Sequence, residues 1–220
     1  MTDAPTDPRS SASAPTVRRA PLIGLTGAPA AGKSTVAALL REAGCAVVDV
    51  DALGHRALAV PAVRDRVVDI LGESVLDGSG ALDRRAVARV VFADPEALRR
   101  VEDVVHPRVR GMLRDEVEAA RDAGARAVVL DVALLFEGDL ASACDLTVAV
   151  DAPEHTRVAR AAARGWDEDE LRRRQAGQLA PDEKRARADR ILVNDGDVAR
   201  LRERALALLA DVAPARSGNE

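Results

Sequence analysis

The chain has 220 residues, enough for one core of ordinary size with excursions, and a hydrophobic content of 47% to fill it. Its net charge of −4 and its short list of aromatic residues, Phe92, Phe136 and Trp166, argue against a broad phosphate-backbone footprint and against stacking on single-stranded nucleic acid. No apolar run has the length of a membrane span, no signal-like apolar core opens the chain, and two isolated cysteines, Cys45 and Cys144, read as small buried hydrophobes of a reducing compartment, so a soluble cytoplasmic protein is expected, with no nucleic-acid, membrane or obligate protein partner.

Residues 1–20 are rich in Ala, Ser, Thr, Pro and Asp without periodicity, which predicts a disordered leader. Pro21 to Thr26 reads as a strand buried on both faces. It runs into Gly27-Ala28-Pro29-Ala30-Ala31-Gly32-Lys33-Ser34, the pattern G-x-x-x-x-G-K-S/T, and then into a helix from about Lys33 to Ala43 that Gly44 ends. The residue types follow from the chemistry of binding phosphate. Gly27 and Gly32 let the backbone curl so that amide hydrogens point at phosphate oxygens, Lys33 reaches the β- and γ-phosphates, and the Ser34 hydroxyl is offered to Mg²⁺. Only Lys33 and Lys184 are lysine in a chain otherwise committed to arginine, so lysine stands where a compact ammonium is needed.

Ala46 to Val50 is a second strand, and Asp49-Val50-Asp51 puts two carboxylates at its C-terminal edge, where open α/β sheets bind ligands. Residues 52–123 give no strand signal. Asp83 caps one helix, Asp94-Pro95 opens another, and Pro107 opens a third that stops at Gly124. So many helical residues exceed a simple crossover and predict a helical insertion over the sheet edge. Ala127 to Asp131 and Leu146 to Val150 return to strands, separated by Leu134-Leu135-Phe136-Glu137-Gly138, and Pro153 opens a helix through about Arg164. Trp166 to Ala188 reads as a charged helix pair whose arginines mostly form a solvated surface. Ile191 to Val193 is the last strand, and Asp197 caps the last helix before a polar tail at 214–220. The expected fold is α/β: a parallel sheet of the phosphate-loop NTPase type flanked by helices. A single kinase domain spans 21–213, with its core at 21–51, 124–164 and 189–213, the helical acceptor-binding insertion at 52–123 and a helical lid at 165–188.

The loop establishes nucleotide binding, and the rest of the chain must choose a reaction. No Asn-Lys-x-Asp guanine motif is present, and Asp131-Val132 does not match the Asp-Glu that ends the corresponding strand of motor-type ATPases. A short chain with a helical insertion and an Arg-rich late segment suits a kinase that covers its substrate before transfer.

Over about residues 22–205 the sequence resembles the dephospho-CoA kinase family. The matching stretches are Ile23-Gly24-Leu25-Thr26-Gly27 with its loop, Val48-Asp49-Val50-Asp51 with His55, Leu82-Asp83-Arg84-Arg85, Val91-Phe92-Ala93-Asp94-Pro95 and His106-Pro107. Leu134-Leu135-Phe136-Glu137, Arg160 and Arg164 ahead of Gln178, and Ala188-Asp189 with Val193-Asn194 complete the series. The resemblance implies transfer of the γ-phosphoryl of ATP to the ribose 3′-hydroxyl of dephospho-CoA, with Mg²⁺ brought by ATP. Four positions depart from the family: Ala28 and Ala30 replace glycines of Gly-Gly-x-Gly around Pro29, Val50 replaces the alanine of Asp-Ala-Asp, a harmless change, and Ala133 stands where a proline usually precedes Leu-Leu-Phe-Glu. If Ala30 needs positive φ, its methyl costs on the order of 1 kcal/mol.

The resemblance also assigns roles. Amides of Ala30, Ala31, Gly32, Lys33, Ser34 and Thr35 would hold the triphosphate, and Asp51 would accept the hydroxyl proton. An N-cap role for Asp51 is the bland alternative, and both can hold together. Arg164 would meet charge on the transferred group, with Arg160 second or simply a surface neighbour. Asn194 would read the adenine edge or form a plain turn. Asp49, His55, Arg84, His106, Arg108, Phe136 and Glu137 fall to the dephospho-CoA side, where His106 reads equally well as a packed or capping histidine. The competing functions are another small-molecule kinase of the same fold, such as a nucleoside monophosphate kinase, and a nucleotide-dependent switch that hydrolyses ATP slowly.

Overall fold

The computed structural model describes residues 19–213. The expected leader, apart from its last two residues, and the tail lie outside the described chain. Five strands form a parallel sheet in the order β2-β3-β1-β4-β5. They are β1 Leu22–Gly27, β2 Ala46–Asp49, β3 Val128–Asp131, β4 Leu146–Asp151 and β5 Arg190–Val193. All six residues of the central β1 are buried, as continuous apolar strands of parallel sheets should be. Its register sets Leu25 beside Asp131 and Gly27 beside Val150, so the strand ends emerge together on one edge. The chain winds from β1 towards β2 on one side and later to β4 and β5 on the other. That reversal places the ligand crevice of an open α/β sheet at the end of β1. Gly27 is required there, because a Cβ on it would come 2.6 Å from the Val150 carbonyl oxygen.

Helices α1 Lys33–Glu42 and α9 Val198–Val212 cover one face, where Val36, Leu40, Leu201 and Leu209 pack on Ile23, Leu25 and Val148. The other face is covered by α2 Val50–Leu58 and the C-terminal half of α5 Pro95–Asp122, through Leu53, Leu113 and Val117 against Val128 and Leu130. The insertion adds α3 Pro61–Leu71 and α4 Arg84–Ala93 and has its own core of Val63, Val67, Val75, Val87 and Val101. Asp83 and Asp94 cap α4 and α5 as expected, accepting from Arg85 N and from Glu96 N and Ala97 N.

Two local expectations are corrected. Pro107 does not open a helix, because α5 runs 28 residues straight through it. Pro107 and Asp103, whose carbonyl loses its partner, are both on the exposed side of the helix, where solvent can reach the orphan oxygen. Packing holds the helix on either side, Val101 in the insertion core and Leu113 on the sheet. The second strand ends at Asp49 rather than Val50, and α2 starts at once. The Asp49 carboxylate accepts from Ala52 N at 2.9 Å, so Asp49 is the N-cap and Asp51 lies in the first turn.

After β4 come α6 Glu154–Ala162, α7 Glu168–Ala176 and α8 Pro181–Arg187. Gly165, at φ 76, makes the turn between α6 and α7 in a conformation that favours glycine. On α7, Arg172 and Arg173 pair with Asp169 and Glu170 in exposed contacts, the solvated face the sequence suggests. Among the described residues no helix is long and apolar enough to cross a membrane.

Candidate active site

The phosphate loop joins the buried end of β1 to the first turn of α1, and no side chain caps that helix at Gly32. An uncapped N-terminus presents amide hydrogens and the positive end of the helix dipole, which is the electrostatic requirement for a polyphosphate. Two residues bend the loop through left-handed conformations, Ala30 at φ 62 and Gly32 at φ 99. Ala30 thus does take the positive φ that makes its methyl costly. The Ala30 methyl is buried against Ala161, Leu171, Val158 and Trp166, so packing on the following helices holds the strained residue.

Opposing effects set the outcome of Ala30→Gly. Relief of about 1–2 kcal/mol of strain opposes about 0.5–1 kcal/mol of added chain entropy and about 0.8 kcal/mol for the lost buried methyl. These nearly cancel, so the melting temperature should move by no more than about 4 °C. A larger fall on thermal melting would show that the methyl contact, not the loop conformation, dominates.

Asn194 and Arg160 meet under the loop. Asn194, 5% exposed, donates its amide to the Ala31 carbonyl at 2.8 Å, and Arg160 donates to the same oxygen at 3.2 Å and to Asn194 Oδ1 at 3.0 Å. A Cβ at Gly32 would lie 2.1 Å from Asn194 Nδ2, which is why the loop needs glycine there. The side chain proposed to read adenine is thus engaged with the loop itself.

Lys33 pairs with Asp131 at the end of β3, with most of both side chains buried. In the sequence Asp131 stands out only as half of an unmatched Asp-Glu pair, since nothing there places β3 beside β1. Asp51, in the first turn of α2, lies close enough to this pair to feel the charge of both members. Its side chain reaches solvent at the mouth, yet the surrounding walls remove enough water to raise the carboxyl above its ordinary value, Lys33 opposing and Asp49 and Asp131 adding to the rise. On the insertion side His55 contacts Arg84, whereas His106 and Arg108 lie on the exposed surface of α5. Glu137 turns inward, accepting from Leu179 N at 2.8 Å and pairing with Lys184 at 3.3 Å. Neither thiol suits nucleophilic work: burial raises both, Cys144 to about 11.

A cavity of about 340 Å³ opens over the loop, with Lys33, Ser34, Arg164, Trp166, Arg174 and Gln178 in its wall. Trp166 carries two cations, the Arg174 guanidinium 4.2 Å and that of Arg164 5.7 Å from its ring centre. Arg164 is the arginine expected here from the sequence, whereas Arg174 falls within the segment expected to be a solvated face.

A family model described as dephospho-CoA kinase matches residues 21–200. The chain belongs to the dephospho-CoA kinase family. A dephospho-CoA kinase of Symbiobacterium thermophilum is 45% identical over 82% of this chain and 77% of its own, and one of Thermus thermophilus is 40% identical over 90% and 94%. The crystal structure of a Thermus thermophilus protein superposes with a TM-score of 0.78 at 42% identity, covering 89% of this chain and 99% of that one. A dephospho-CoA kinase from Campylobacter jejuni shares the fold at a TM-score of 0.58 and 19% identity. The dephospho-CoA kinases thus share with this chain the parallel sheet that positions the loop.

Proposed function

We propose that the chain transfers the γ-phosphoryl group of ATP to the ribose 3′-hydroxyl of dephospho-CoA. The observation that carries this reading is the meeting, at one sheet edge, of the uncapped loop, the Lys33–Asp131 pair and Asp51, with the helical insertion beside them. The hydroxyl oxygen bonds to the γ-phosphorus as its bond to the bridging oxygen breaks. The hydroxyl proton passes to Asp51 and ADP leaves with the electron pair. Such transfer depends on position and on stabilising charge. Loop amides from Ala30 to Thr35 and Lys33 hold the triphosphate, and Arg164 meets the transferred group. Arg160 and Asn194 hold the loop from beneath through the Ala31 carbonyl. Asp49, His55, Arg84, His106, Arg108, Phe136 and Glu137 form the dephospho-CoA side.

Mg²⁺ fits the oxygen donors present, the Ser34 hydroxyl in the cavity wall and the Asp131 carboxylate beside Lys33. When bound with ATP it would neutralise phosphate charge. The two free thiols suit a reducing cytoplasm. The reading is tested by ADP release against a panel of acceptors. Dependence on dephospho-CoA supports it, whereas dependence on a nucleoside monophosphate, or ATP hydrolysis indifferent to acceptor, overturns it.

In this reading residues 165–188 form a lid that closes on ATP and excludes water. Closure draws Arg164 and Arg174 from the Trp166 ring towards phosphate. Trp166 emission, from the one tryptophan in the chain, should therefore shift when ATP or a bisubstrate analogue is added. Unchanged emission and quencher access at saturation would remove the lid from the proposal.

A further inference from the structure

Lys184, the second lysine of the chain, is only 1% exposed although it lies on α8 among charged, exposed neighbours. A buried ammonium persists only where acceptors surround it. Here Nζ donates to the Ala133 carbonyl at 2.6 Å and to Gln178 Oε1 at 2.9 Å, with Glu137 Oε1 at 3.3 Å. Each acceptor belongs to a segment of the site. Ala133 follows Asp131 by two residues, and its carbonyl also accepts from Thr26 Oγ1 at the end of β1. Gln178 and Ala133 line the cavity over the phosphate loop. Glu137 binds the turn between α7 and α8 through Leu179 N. One ammonium thus ties the returning arm of the helix pair to the turn that carries the partner of Lys33.

We propose that Lys184 is a positioning residue for phosphoryl transfer: it fixes the α8 end of the lid to the Asp131–Glu137 turn, so that closure is confined to the α7 arm and leaves no path for water to the γ-phosphate. A compact ammonium with three donors suits this cage, which a planar guanidinium does not. The inference rests on the kinase reading. It is separable from it, since the wild-type enzyme must first show dephospho-CoA-dependent turnover.

The experiment compares wild type, Lys184→Met and Glu137→Gln at saturating ATP and dephospho-CoA, well below their melting temperatures. It measures CoA formed, total ADP released and KM for ATP. Lys184→Met should lose about tenfold to 10²-fold in transfer, the scale of a small misplacement at a reacting centre. KM for ATP should stay within about threefold, because the loop and Lys33 still hold the triphosphate. The deciding readout is ADP released per CoA formed, which should rise as water competes. A merely structural lysine would lower both rates with the folded fraction and leave their ratio unchanged. Glu137→Gln, on a side chain that remains partly exposed, takes away the anionic partner of the ammonium but keeps an amide oxygen in its place, so it weakens the same cage and should raise the ratio less; it decides the matter if Lys184→Met does not fold. An unchanged ratio in the folded variants overturns the proposal.

Discussion

Replacing Asp51 by Asn should lower turnover by about 10²- to 10⁴-fold at saturating ATP and dephospho-CoA, the usual scale for loss of a positioned general base. The substitution is informative because the competing role has moved elsewhere: Asp49, not Asp51, caps α2. Asn at 51 therefore disturbs no cap, and a loss of turnover reports on the carboxylate alone. The proton acceptor must be ionised, so wild-type activity should fall with acidification through a pKa above the ordinary 3.8 of an aspartate, and Asp51→Asn should lose that limb. Stability runs the other way. A carboxyl whose folded pKa is raised favours the fold while protonated and loses that contribution as pH rises through the folded value. At neutral pH the wild type carries a partly desolvated carboxylate beside Asp49 and Asp131, and the amide avoids it. Asp51→Asn should accordingly melt no lower than wild type near pH 7. Near-normal turnover would take Asp51 off the catalytic list, and a lower melting temperature would contradict the account of its surroundings.

Lys33→Arg should cost about 10²-fold or more in kcat/KM, comparable to removing one preorganised donor at a reacting centre. Charge is conserved, so the effect isolates shape. The ammonium sits between the loop and Asp131, with 21% of its side chain exposed, and a wider guanidinium cannot both keep that pair and enter the cradle. Because Arg can still pair with Asp131, the fold should survive, and thermal melting run beside the kinetics checks this. Turnover within a fewfold of wild type would remove Lys33 from the phosphate site.

Much of this was open to a reading of residues, and the gaps have physical causes. Backbone requirements write themselves into sequence: Gly27 and Gly32 stand where a Cβ would strike Val150 and Asn194, and Asp83, Asp94 and Asp197 mark helix starts because few side chains reach the first free amides. Sheet order does not. Asp131 acquires meaning only once β3 lies beside β1, a pairing made more than a hundred residues apart. The Ala133 turn is hidden for another reason. It is held through a carbonyl oxygen, which every residue has, so a change from the family's proline loses nothing that the sequence would reveal. Pro107 misleads in the opposite direction, since a helix-breaking residue is tolerated where packing on both sides outweighs one lost hydrogen bond.

Helix α5 has a mechanical consequence. Its first turns belong to the insertion core and its last turns to the sheet, so it acts as a beam held at both ends, with Pro107 between the two supports. From there to Pro95 the beam extends about 18 Å at 1.5 Å per residue, and a flexure of roughly 10° at the proline would carry its tip about 3 Å. A small rotation at that exposed residue would thus be geared up along the beam, so the two cores that α5 joins are mechanically coupled through one helix.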